Sequence, residues 1–148
     1  MRKEIRLAAV LAVLVLLVAC GGKKASSLTE PAPDPNAALH GTWEGQLTVN
    51  WPFGSEQYGI TLVITGVGPD ETVAGGTVVF YLESGQFAMG DGTLSDPDVT
   101  LVVLGVFQDS PGHLIDLNLA GKRDGAQIMG SAAVPDAHAT GSFAVAKV

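Results

Sequence analysis

The side chains able to do chemistry in this 148-residue chain are few: one cysteine, Cys20; three histidines, His40, His113 and His138; and scattered serines and carboxylates. Zinc sites gather their ligands at short paired spacings, whereas these histidines stand far apart with no second ligand beside any of them. Asp91, Asp96 and Asp98 offer oxygen ligands of the kind that calcium takes. Their spacing does not follow an EF-hand loop, and Pro97 stands between two of them, so the segment reads as a solvated turn. Ser55 and Ser131 each follow a glycine but lack the second glycine of a nucleophile elbow, and Glu44 and Asp116 are isolated acids with no general acid–base partner. No catalytic residue, metal site or cofactor is expected, and the chain reads as a non-enzyme.

Cys20 differs because of what precedes it. Arg2, Lys3 and Arg6 form a basic start, and Leu7 to Ala19 is a run of 13 apolar residues. That run is too short for the roughly 20 residues of a spanning helix and has the form of a signal-peptide core. The run ends in Leu17-Val18-Ala19-Cys20, which resembles the bacterial lipobox, and the resemblance covers only this leader. It implies that residues 1–19 are removed and that Cys20 becomes the lipid attachment site, a diacylglyceryl thioether usually joined by an acyl chain such as palmitate on its amine. Several chains are needed, because one alone gives only marginal membrane binding. Gly21 stands where an aspartate signals inner-membrane retention in some bacteria, so the resemblance implies a cell-envelope lipoprotein, on the outer membrane in preference to the inner in a Gram-negative host. The lack of any other cysteine fits an envelope protein without disulfides.

Residues 20–38 carry glycines, serines and Pro31, Pro33 and Pro35 with no apolar periodicity, and read as a lipidated N-terminus followed by a flexible tether. Residues 39–148 form one domain by length. Seven clusters of turn-forming residues punctuate it, at 51–55, 66–70, 83–85, 95–98, 109–112, 121–125 and 134–136, and seven turns imply eight short strands. Between them the residues alternate: Trp43, Leu47, Val49 and Trp51 on one face of the first strand, then Ile60, Leu62 and Ile64, later Ile115, Leu117 and Leu119, and finally Phe143 and Val145. The pattern predicts an all-β domain, an eight-stranded antiparallel up-and-down β-barrel whose closure removes both sheet edges, with a β-sandwich as the alternative. Strand glycines such as Gly45, Gly105 and Gly130 fit strands that bend to close.

His40-Gly41-Thr42-Trp43-Glu44-Gly45 is similar to the G-x-W start of the first strand in lipocalin-like and avidin-like barrels. The resemblance implies that Trp43 plugs one end of the barrel. A biotin site of the avidin kind is not expected, since no tryptophan follows Trp51. The Leu117-x-Leu119-x-Gly121 segment followed by Ile128-x-Gly130 also resembles small bacterial lipoproteins of uncharacterised function. Without the leader 14 acidic and 5 basic residues remain, a net charge of about −9, which repels nucleic acid. Lys23 and Lys24 lie where they can meet anionic headgroups.

Two readings of function stand. The first is a lipid-anchored envelope protein with a structural or protein-interaction role. It rests on the stretch from Val99 to Phe107, apolar on both faces, whose outer wall is expected to comprise Val102, Leu104 and Val106 and to serve self-association or an envelope protein partner. The second is a lipocalin-like carrier or sensor of a small apolar ligand, with Trp43, Trp51, Tyr81 and Phe107 as candidate liners of any cavity. A transmembrane barrel is disfavoured by the absence of aromatic girdles.

Overall fold

A computed structural model describes residues 31–68 and 73–148. The leader, Cys20 and most of the tether lie outside the described residues, as do residues 69–72. Eight strands run in chain order: β1 (Gly41–Trp51), β2 (Gly54–Thr65), β3 (Thr77–Leu82), β4 (Gly85–Ser95), β5 (Asp98–Ser110), β6 (His113–Asp124), β7 (Gln127–Val134) and β8 (Ala139–Lys147). Each pairs antiparallel with its sequence neighbour, and β1 pairs with β8 from Trp43↔Lys147 to Asn50↔Thr140, closing the barrel. The sandwich alternative is thereby excluded. Each of the seven turn clusters coincides with a connection, the last as the short 3₁₀ turn Pro135–Ala137.

The alternating residues face inward. Trp43, Leu47, Leu62, Ile64, Leu101, Leu117 and Ile128 are fully buried and form a continuous core. Such a core is the main favourable term in folding, at about 25 cal/mol per Å² of apolar surface removed from water. Because the apolar faces turn in, the barrel has the opposite polarity from one that meets lipid through its wall.

Up-and-down topology sorts the connections to two ends. The β1–β2, β3–β4, β5–β6 and β7–β8 connections lie at one end, here called the mouth; the β2–β3, β4–β5 and β6–β7 connections lie at the other, with both chain ends of the barrel. The second end is closed by side chains. The Trp43 indole, 0% exposed, donates a 2.8 Å hydrogen bond to the Leu39 carbonyl, and Leu39 is itself fully buried. Lys147 Nζ lies 5.2 Å from the centroid of the Trp43 ring and donates to the Ala38 carbonyl.

The compact unit begins at Pro33. Asn36, read from composition as tether, is buried, and its side chain ties three distant backbone groups together. Nδ2 donates to the carbonyls of Gly75 and Leu94 at 2.9 and 3.0 Å, and Oδ1 accepts from the Asp96 N–H at 2.9 Å. This clamp matters because β3 pairs with β4 only from Phe80↔Phe87 to Leu82↔Gly85, and the segment before β3 meets β4 through an isolated parallel bridge between Ala74 and Thr93.

Asp91, Asp96 and Asp98 gather no common ligand. Arg123 grips Asp96 through both oxygens, at 2.6 and 2.9 Å, and Lys122 reaches Asp98 at 3.5 Å. The Asp96 carboxyl is held below its ordinary range chiefly by the hydrogen bond from the Arg123 guanidinium. A carboxyl whose pKa is lower folded than unfolded adds stability above its unfolded pKa, about 3.9, and loses it as pH falls through the folded value. Asp96→Asn is therefore expected to melt below the parent protein at pH 7, with the gap closing as the pH drops under about 4. A gap of constant size from pH 7 to pH 2 in thermal melts would assign the loss to something other than the ion pair.

Candidate functional site

The mouth of the barrel is hollow where the closed end is filled. A cavity of about 580 Å³ opens there, within the range of small-molecule sites. Its inner wall is made by the last inward positions of five strands: Trp51 of β1, Tyr58 of β2, Leu82 of β3, Val106 and Phe107 of β5, and Ile115 of β6. Three rings meet there without stacking. Trp51 and Phe107 are edge to face, with centroids 5.1 Å apart and planes at 88°, and Tyr58 lies 5.2 Å from Phe107 at 55°. Phe53, 81% exposed at the tip of the β1–β2 hairpin, stacks parallel on Trp51 at 5.9 Å.

The polar groups stand at the rim. Glu56, Glu83 and Asp109 all contribute to the cavity lining. Tyr58 donates its hydroxyl proton to Glu56, and Glu83 accepts the Gly59 N–H at 2.7 Å. His113 Nδ1 lies 2.6 Å from Asp109, and that hydrogen bond is the main reason why the Asp109 carboxyl lies below its usual range. Burial, then the Glu56 carboxylate, pushes the Tyr58 phenol up from its ordinary value, with the Trp51 indole acting in the opposite sense, so the phenol remains a donor at neutral pH. The Trp51 Nε1–H is buried beside the Tyr58 hydroxyl, which it influences without reaching hydrogen-bonding geometry, so it has no acceptor of its own. An orphaned donor in an otherwise apolar wall is a place for one acceptor atom of a bound molecule.

Of the four aromatic liners expected from the sequence, the structure brings Trp51 and Phe107 together at this cavity. Trp43 belongs to the closed end. Tyr81, 37% exposed, points outward and lines a shallow groove on the outer wall with Glu44, Gln46 and Thr61. The expected outer wall is also shortened. Val102 is half-buried on the outer face and Leu104 is 40% exposed, but Val106 is 7% exposed and turned into the cavity. The reason is local: the β5–β6 register shifts between Val103 and Phe107, and Gly105 there takes a φ of +69°, a left-handed conformation in which glycine is favoured. Alternation counted straight through that bulge puts Val106 on the wrong face.

Tyr58 escapes the reading of the sequence although a signal is present, since it shares parity with Ile60, Leu62 and Ile64 and merely lengthens their face. The rim acids carry no such signal, because they come from three separate hairpins. No group of three His, Cys, Asp or Glu side chains that could hold a metal ion occurs among the described residues. No family model matches the sequence, and no match is found among the curated proteins or the solved structures.

Proposed function

We propose that the protein is a lipid-anchored envelope protein, acylated at Cys20, whose lipocalin-like barrel carries or senses a small, largely apolar molecule held at its mouth. The observation that supports this reading is the aromatic cavity of about 580 Å³ above an otherwise filled core. A barrel used only as a spacer gains nothing from leaving Trp51, Tyr58 and Phe107 around a hollow, because filling such space with side chains adds dispersion contacts and stability. The reading implies binding, not catalysis: a mostly apolar wall holds a ligand by area and shape, while the Trp51 N–H and the Tyr58 hydroxyl orient it.

A structural or protein-interaction role draws on a different observation, the outer face of β5 and β6. Leu104 and Leu114 are 40% and 59% exposed there, and Leu114 lies beside Gly105.

Native mass spectrometry of the protein extracted from its own membrane in mild detergent tests both readings. The carrier reading expects the acylated chain to hold one small molecule that is lost from a Phe107→Ala variant. Bare, unliganded monomers in every preparation would remove it, whereas dimers that disappear in Leu104→Glu would favour the interaction role.

A further inference from the structure

The mouth carries a second regularity, in its charge. Among the described residues the lysines and arginines are Lys122, Arg123 and Lys147, and all three lie toward the closed end, where Asp98, Asp96 and the Trp43 ring engage them. The cavity lining contains Glu56, Glu83 and Asp109 and no lysine or arginine. Each carboxylate is held by a donor of its own, from Tyr58, the Gly59 backbone and His113, so none is free to swing away. Each also keeps unused lone pairs, since an ionised carboxylate can accept about four hydrogen bonds.

Resting on the reading of the mouth as a ligand site, we propose that its occupant is a small organic cation: an ammonium group on an apolar body, received among the rings of Trp51, Tyr58 and Phe107 beneath the carboxylates of Glu56, Glu83 and Asp109. Two features of the geometry point the same way. Phe107 stands at 88° to Trp51 and 55° to Tyr58, and these adjoining walls suit a compact, rounded group; the parallel pair, Trp51 and Phe53, is only 5.9 Å apart and leaves no slot for a flat ring between them. Aromatic rings also attract cations through their quadrupole, and the attraction strengthens as the site loses water. The acids set the sign: an anion is repelled at the rim, a neutral molecule is indifferent to it, and a cation is drawn in.

The experiment uses the full chain in a neutral maltoside detergent, with the fluorescence of Trp51 as readout and buried Trp43 as a constant background. Three probes of similar size are titrated: benzyltrimethylammonium; neopentylbenzene, its neutral isostere; and phenylacetate. The cation is expected to bind at least about tenfold more tightly than the isostere, with phenylacetate the weakest. The preference should shrink between 50 and 500 mM salt. It should also fall to within about twofold in the Glu56→Gln/Glu83→Gln/Asp109→Asn variant, whose melting curve establishes that it is folded; the salt series on the unaltered protein needs no variant at all.

Equal or tighter binding of neopentylbenzene overturns the cation while leaving the cavity a ligand site, and so does a cation preference that survives both high salt and the triple substitution. If no probe binds, the cation is likewise refuted, and retention of a native ligand in the mass spectrum then decides separately whether the mouth is a site.

Discussion

Trp43→Ala is expected to lower the stability of the barrel by about 3–5 kcal/mol, the range for deleting a fully buried tryptophan. Trp43 has no exposed surface, and its indole N–H is the donor to the Leu39 carbonyl, so alanine leaves both a cavity and a buried acceptor without its partner. The Lys147 ammonium over the ring adds a smaller term, roughly 0.5–1 kcal/mol at an exposed position. Trp43→Phe separates the contributions, because it keeps most of the volume and removes the N–H; its cost should be about 1–3 kcal/mol. Urea unfolding of both variants is the measurement. A loss under about 1 kcal/mol for the alanine variant would show that Trp43 is not what closes this end.

Gly130→Ala is expected to cost about 3 kcal/mol or more, through crowding in place of a void. Gly130 in β7 pairs with Gly121 of β6 and Phe143 of β8. A Cβ at Gly130 would lie 2.1 Å from the Ala120 carbonyl oxygen and 2.4 Å from the Gly121 Cα, and both are backbone atoms that move only if a strand moves. A Cβ at Gly121 would in turn come within 2.6 Å of Phe143 Cζ. Gly121 thus leaves the space that the tip of the Phe143 ring occupies, and Gly130 permits the close approach of β7 to the β6 backbone. A fall in Tm of at least about 10 °C is expected for a domain of this size. Gly68→Ala is the matched control, since nothing among the described residues lies within 4 Å of the added methyl group. Melting temperatures within about 2 °C of each other for the two variants would show that β6 and β7 relax around the new methyl group at little cost.

The eight strands, their turns and the inward face of each regular segment are legible in the sequence because those features are local. A turn needs only its own proline, glycine or aspartate, and alternation needs only one strand. The mouth is half legible. Trp51 and Phe107 are conspicuous by type, but nothing in the order of residues says that Trp51 and Phe107 converge while Trp43 and Tyr81 go elsewhere; strand direction and the face of each residue decide that. Alternation misplaces Val106 because the register shift between Val103 and Phe107 puts two chain neighbours, Val106 and Phe107, on the cavity side together. Asn36 is unreadable for another reason: a polar residue among prolines has the composition of a linker, and its three hydrogen-bond partners lie 39, 58 and 60 residues away.

The start of β1 and the C-terminal residue lie side by side at the closed pole, where the Val148 N–H donates to the Thr42 carbonyl. A partner fused at Val148 is therefore attached behind the barrel, and the opposite pole stays unobstructed.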